Sequence, residues 1–185
     1  MTGRLSGKRA IITGGAGGIG SEAARLFCAE GASVLIVDKD PAVLEQGLKE
    51  INAEALSGRI ESFAADVTSP DDAERSIEKA VRTFGGFEIL VNNAAIRNIA
   101  TVATSDISDW ARVYSTNVIG SVNFTKAALP ELRKNRQSSI IMVSSCFALV
   151  GRASWPVYDA TKAALLALTR SLAVEEASNG VRVNA

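Results

Sequence analysis

The 185-residue chain contains no histidine, two cysteines, four prolines and two tyrosines. Without imidazole, Ser-His-Asp and Cys-His nucleophiles and His-ligated zinc are excluded. Cys28 and Cys146 lie too far apart for a CxxC redox or metal pair. Two cysteines are also too few for a secreted disulfide scaffold. Twenty Lys+Arg balance twenty Asp+Glu, which offers no electrostatic handle to nucleic acid or an anionic membrane. The longest strictly apolar run is six residues, 163–168, far short of the ~18 needed to span a bilayer. Residues 1–8 contain no apolar stretch of signal-peptide length. These absences predict a cytoplasmic protein with reduced cysteines that binds neither nucleic acid nor membrane. Acid–base chemistry is left to Tyr, Lys, Asp, Glu or Ser.

What is present is an alternation. Short runs rich in Ile and Val fall at 9–13, 33–37, 60–64, 88–91, 139–143 and 181–183. They are apolar on successive positions, as strands buried on both faces should be. Between them lie helix-like segments near 18–30, 41–55, 70–84, 105–133 and 157–178. Pro41 and Pro70 sit where a first helical turn tolerates proline, after Asp40 and Ser69 as N-caps. With 47% hydrophobic and 22% charged residues, the pattern predicts one α/β domain, a doubly wound parallel sheet in three layers.

The first strand runs into Gly14-Gly15-Ala16-Gly17-Gly18-Ile19-Gly20. Two glycine registers overlap there, Gly15-x-Gly17-x-x-Gly20 and Thr13-Gly14-x-x-x-Gly18-x-Gly20. In either, missing Cβ atoms let the backbone turn tightly and approach a phosphate, whose charge the helix N–H groups and dipole stabilise. Gly14, Gly18, Ile19 and Gly20 are the predicted contacts. No Lys-Ser/Thr follows, so the loop is not a nucleotide-triphosphate P-loop. Asp38 ends the second strand, eighteen residues after Gly20, near the ~20 expected of a ribose-binding acid. A carboxylate there repels a 2′-phosphate, although Lys39 softens the repulsion. The cofactor expected is NAD, with NADP less favoured.

Tyr158 and Lys162 are four residues apart, on one face if the segment is helical. A nearby cation favours phenolate over phenol and lowers the tyrosine pKa. Bringing it to about 7 requires roughly 4 kcal/mol, to be shared among Lys162, a helix dipole and the charge of an oxidised nicotinamide. Ser145 falls just past the 139–143 strand, and Asn92-Asn93-Ala94-Ala95 follows the 88–91 strand. Both places are strand C-terminal ends, where open α/β sheets bind ligands. Asn117 lies inside a helix pattern, an unfavourable place unless its side chain has partners.

Together these residues resemble the short-chain dehydrogenase/reductase family. Thr13-Gly14-x-x-x-Gly18-x-Gly20, Asp66-Val67, Asn92-Asn93-Ala94-Ala95, Asn117, Ser145 and Tyr158-x-x-x-Lys162 occur in that family's order and spacing across essentially the whole chain. Ala95 replaces a glycine usual there, and Thr161 a serine. The resemblance implies a Rossmann-type domain that transfers a hydride between a nicotinamide cofactor and a secondary alcohol or ketone. By it, Tyr158 is the general acid/base and Lys162 holds the ribose and lowers the Tyr158 pKa. Ser145 orients the substrate oxygen, and Asn117 anchors a water in the proton relay. Asp66 and Val67 hold the adenine, while Asn92 and Ala94 line the cofactor channel. No metal site is expected. The apolar helix at 163–168 and the one through Val118 and Leu129 are expected to build homodimers or homotetramers.

Arg97, Asn98, Cys146, Phe147, Arg152 and Trp155 are candidate pocket walls. Arg97 or Arg152 is placed to attract a carboxylate or polyol, with a solvated loop arginine as the plainer reading. Cys146 reads as a small buried residue, and Trp155 either covers substrate or packs. Relative to the family pattern, the chain is expected to lack a final strand and a substrate-covering segment. That would leave the 181–183 strand as a flat apolar edge. A catalytically impaired nucleotide-binding or assembly protein is therefore the alternative. A methyltransferase has no use for the Tyr158, Lys162 and Ser145 set.

Overall fold

The computed structural model describes residues 3–54, 56–135 and 137–185. Six strands, β1 (Arg9–Thr13), β2 (Ser33–Asp38), β3 (Arg59–Ala64), β4 (Ile89–Asn92), β5 (Ser138–Met142) and β6 (Val181–Asn184), form one sheet. All pairings are parallel, in the order β3-β2-β1-β4-β5-β6. Strand order reverses direction between β1 and β4. This reversal opens a crevice beyond the strand ends, where ligands of such sheets bind.

Among the described residues six α-helices cover the sheet: α1 (Gly18–Ala29), α2 (Pro41–Asn52), α3 (Pro70–Phe84), α4 (Ile107–Tyr114), α5 (Gly120–Leu132) and α6 (Pro156–Glu176). The proline-started helices are capped as expected. Asp40 Oδ1 accepts from the N–H of Ala42 at 2.9 Å, and Ser69 Oγ from that of Asp72 at 3.2 Å. Ala10, Ile12, Val34 and Ile36 pack toward α1 and α2. Ile11, Leu35, Leu90 and Ile140 pack toward α3, α5 and α6. The doubly wound three-layer architecture follows from strands that are apolar on both faces.

Two expectations are corrected. The 105–133 segment is not one uniform helix, because a π-helical turn, Ser115–Ile119, joins α4 to α5. Nor does β6 present a flat apolar edge. Val181 and Val183 are buried against the α6 side, whereas Arg182 and Asn184 are exposed. The period of two places a charge and an amide on the open face. No helix among the described residues is long and apolar enough to cross a membrane.

Candidate active site

The glycine turn is shaped by backbone crowding at the switch point. Gly14 has φ 59° and Gly18 φ 54°, values that side chains disfavour. A Cβ on Gly20 would stand 2.1 Å from the Gly14 carbonyl oxygen. These are the glycines of the Thr13-Gly14-x-x-x-Gly18-x-Gly20 register. Gly17, by contrast, faces open space. It precedes α1 without any side-chain cap, and while the Gly20 and Ser21 N–H groups donate to its carbonyl, those of Gly18 and Ile19 are left to an anion.

Thr13 and Asn93 lock β1 to β4. Thr13 Oγ1 accepts from the N–H groups of Asn93 and Ala94, both at 3.1 Å. The Asn93 amide donates to the Thr13 carbonyl at 3.0 Å and the Gly14 carbonyl at 2.9 Å. Asn92, expected in the cofactor channel, is instead buried. Its amide reaches Thr125 Oγ1 at 3.0 Å and Met142 Sδ at 3.4 Å. Successive strand residues face opposite ways, so the channel receives Asn93.

Beyond the turn, a slot of about 120 Å³ is lined by Asp38, Ala65, Asp66, Val67, Ala94 and Thr116. Asp66 Oδ1 accepts from the Thr68 N–H at 2.9 Å and its hydroxyl at 2.8 Å. Asp38 Oδ1 accepts from the Lys39 N–H at 2.8 Å, which leaves its second oxygen unspent. The slot joins a groove of about 520 Å³ whose walls include Gly17, Ile19, Asp38, Asn93, Tyr158 and Lys162. These residues fit an elongated dinucleotide: N–H donors for phosphates, a carboxylate for ribose, and a narrow slot with Ala65, Val67 and Ala94 on its walls for a flat base.

Tyr158 and Lys162 lie in the first turns of α6, as their spacing predicts. Lys162 is 2% exposed, and its Nζ donates to the Val143 carbonyl at 2.6 Å. Burial pushes its pKa down to about 8. Nζ stands 5.5 Å from the Tyr158 ring centroid. The phenol itself is held above its ordinary value. Burial raises it most; the Arg152 charge opposes this, Asp159 largely offsets Arg152, and Arg97 adds a further lowering that only partly counteracts the rise. The expected lowering by Lys162 is therefore replaced here by desolvation, opposed by two arginines.

Ser145 lies past β5, as expected, and caps the short turn Cys146–Ala148. Its Oγ accepts from the Phe147 N–H at 3.2 Å. The groove wall is formed by the neighbouring Ser144, whose hydroxyl donates to the Lys162 carbonyl at 2.7 Å. Cys146 is exposed rather than buried, while Cys28 is buried, and both are free thiols.

The π-turn places Asn117 in the interior, fully buried. Its Oδ1 accepts from the Ile96 N–H at 2.8 Å; its Nδ2 donates to the Ile96 carbonyl at 3.0 Å and Thr161 Oγ1 at 2.9 Å. Both amide hydrogens are thus spent on a brace between the strand-4 loop and α6. Thr161 in turn donates to the Tyr158 carbonyl at 2.7 Å.

A second cluster borders Tyr158. Arg152 pairs with Asp159, its closest contact 2.8 Å. Its guanidinium carbon lies 3.9 Å from the Phe147 ring centroid and 4.0 Å from that of Trp155. Trp155 meets Tyr158 edge-on at 5.8 Å. Trp155 therefore packs, and Arg152 is not a solvated loop residue. Sequence reasoning quoted Thr13, Asn93 and Thr161 within motifs without their bracing roles, and gave Val143 and Asp159 no role. Only Thr13 and Asn93 carried a signal, as the strand-end residue and the alternate face beside Asn92.

Comparison with known proteins agrees with this geometry. Residues 8–185 match the family model described as short chain dehydrogenase. A 3-oxoacyl-[acyl-carrier-protein] reductase, FabG, of Thermotoga maritima is 37% identical over 182 residues, covering 98% of this chain and 73% of that protein. A 3-alpha-(or 20-beta)-hydroxysteroid dehydrogenase of Mycobacterium tuberculosis is 37% identical over 184 residues, covering 100% of this chain and 69% of the relative. A crystal structure of a short chain dehydrogenase from Mycobacterium smegmatis superposes with TM-score 0.94 at 33% identity, over 100% of this chain and 78% of the other. That of an NAD+-bound xylitol dehydrogenase gives 0.92 at 29% identity, over 98% and 70%. With its glycine turn, its Tyr158/Lys162 pair and the match along residues 8–185, the chain belongs to the short-chain dehydrogenase/reductase family of oxidoreductases.

Proposed function

We propose that the chain oxidises a secondary alcohol or reduces a ketone with NAD, Tyr158 acting as general acid/base. The observation that carries this is one groove lined at one end by the glycine turn and Asp38 and at the other by Tyr158 and Lys162. When bound, the nicotinamide supplies the hydride chemistry. The α1 N-terminus and Gly17 hold the phosphates, Asp38 the adenosine ribose, and Asp66 and Val67 flank the base.

Tyr158 exchanges the proton of the substrate oxygen. Lys162, anchored on Val143 beside the ring, holds the ribose, while the Arg152 and Arg97 charges oppose the desolvation that keeps the phenol protonated. The Ser145 hydroxyl accepts from Phe147 and keeps its own proton, free to donate to the substrate oxygen. Asn117 acts as a positioning residue by tying Ile96 to α6. Asp38 favours NAD because its carboxylate opposes a 2′-phosphate. The outer face of α6, with Ala163, Ala167 and the 80%-exposed Val174, is the surface on which two copies would pair.

The deciding experiment is fluorescence titration with NADH and NADPH, followed by turnover of alcohols and ketones by wild type and Tyr158→Phe. The variant should bind NADH normally and lose about 10²–10⁴-fold in turnover, the usual weight of a general acid/base. Wild-type turnover in Tyr158→Phe would remove Tyr158 from the mechanism.

A further inference from the structure

The substrate end of the groove is not neutral. Arg97 contributes to the wall that Tyr158 and Lys162 also line. Its guanidinium carbon lies 5.8 Å from the Trp155 ring, and that ring lies 5.8 Å from the Tyr158 ring. These two 5.8 Å steps bound the separation of guanidinium and phenol ring at about 12 Å.

The charges facing this end are few. Arg152 is the nearer cation, but Asp159 holds it in a forked pair, and Phe147 and Trp155 cover it. That pair is close to neutral at any distance beyond its own length. Lys162 is buried and spends a hydrogen bond on Val143. Asp38 sits with the adenosine slot, beyond the glycine turn. Arg97 is exposed and makes no ion pair among the described residues. Its five N–H donors are also without a protein acceptor there. Of the two arginines at the catalytic end, one is therefore a wall and the other a free cation.

We propose that Arg97 is the specificity-determining residue of the site, receiving the carboxylate of a keto or hydroxy acid whose carbonyl or carbinol carbon lies at Tyr158. The inference rests on the reading of Tyr158 as the proton-exchanging group. A planar guanidinium suits a carboxylate because two parallel N–H donors meet two oxygens. Trp155 restrains the guanidinium through cation–π contact and so reduces the ordering cost of the clamp. The 12 Å bound selects acids in which a short carbon chain separates the two groups. A neutral ketone of the same shape would leave Arg97 solvated and gain nothing from it. The Arg97 charge also favours the Tyr158 phenolate, so an acid bound there would raise the phenol's proton affinity.

The test uses the full chain with NADH and a series of methyl-ketone carboxylates of increasing chain length, each beside its methyl ester. Wild type should prefer one or more acids over their esters by about tenfold or more in kcat/KM, equivalent to ~1.4 kcal/mol. Arg97→Gln should bring that ratio near one, mainly through KM, and Arg97→Glu should invert it. The wild-type preference should shrink as salt is raised. Equal or better turnover of the esters by wild type, or an acid preference untouched in Arg97→Gln, overturns the inference and leaves the dehydrogenase reading standing. Turnover of neither series by protein that binds NADH also overturns this substrate class. Failure to bind NADH or NADPH at all overturns the underlying reading, and the inference with it.

Discussion

Lys162 Nζ donates to the main-chain carbonyl of Val143 at 2.6 Å, which ties α6 to the end of the fifth strand. The ammonium is buried, and its neighbours in this arrangement are a carbonyl dipole and the Tyr158 ring, not a carboxylate. Desolvation therefore governs it, and its pKa falls from 10.5 to about 8. A buried ammonium with no carboxylate partner among the described residues costs the fold stability, a cost that the proposed role of Lys162 would explain.

The pH dependence of stability follows. Below pH 8 the folded and unfolded chains both carry the Lys162 proton, and the folded chain bears the full cost of burying it. Between about 8 and 10.5 only the unfolded chain remains protonated, so the Lys162 contribution rises with pH across that window. The cost at pH 7 is on the order of 3 kcal/mol at most. Lys162→Met should therefore be more stable than wild type at pH 7, by about 1–3 kcal/mol once the orphaned Val143 carbonyl is counted. The gain should shrink toward pH 10.5, and turnover should be lost throughout. Urea melts at several pH values check it.

Asp38 offers a separate test. Its free oxygen stands at the junction of slot and groove, with Lys39 beside it. Replacing it by Ser removes the repulsion of a 2′-phosphate and leaves Lys39 to attract one. The NADPH-to-NADH affinity ratio should rise by about 10–100-fold, or roughly 1.4–2.8 kcal/mol. Paired fluorescence titrations measure the ratio directly.

Gly17 and Gly20 should respond oppositely to one added methyl group. A Cβ at Gly20 meets the Gly14 carbonyl at 2.1 Å and the Asn93 amide at 2.7 Å, whereas one at Gly17 meets nothing within 4 Å. Gly20→Ala should lose about 1–3 kcal/mol of stability through overpacking. Gly17→Ala should melt like wild type yet bind NADH more weakly, because its methyl group occupies the phosphate cradle. Equal melting temperatures for the two variants would contradict this account of the turn.

The far end of α6 carries a buried carboxylate. Glu176 is 2% exposed and accepts from Arg133 at 2.5 and 2.9 Å and from Asn179 at 2.9 Å. The Arg133 hydrogen bonds hold its carboxyl below the ordinary range. A depressed acid contributes stability above its unfolded pKa and loses it as pH falls through the folded one. Arg133→Ala should lower the melting temperature at pH 7, because it leaves the buried Glu176 carboxylate with only Asn179 as a side-chain partner. The difference from wild type should narrow in acid, as thermal melts from pH 7 to pH 3 would show.

Strand identity, the proline-started helices and the glycine turn were legible from residue types alone. Their causes are local: β-branched runs, a capping side chain, a missing Cβ. Which of Asn92 and Asn93 enters the channel was not legible, since it depends on where the pleat of β4 stops. The π-turn at Ser115–Ile119 was equally hidden. Its pattern reads as ordinary helix until Asn117 is seen bridging Ile96 and Thr161.

By itself, the absence of histidine determined that any proton transfer must rest on another group, and the Tyr158–Lys162 spacing placed both proposed groups on one helical face. Spacing along one helix is a local property, and sequence states it. Only the tertiary structure decided the electrostatics around that face. It buried Lys162 onto Val143, paired Arg152 with Asp159 and left Arg97 without an ion pair among the described residues, because Coulomb and desolvation energies depend on distances between segments remote in the chain.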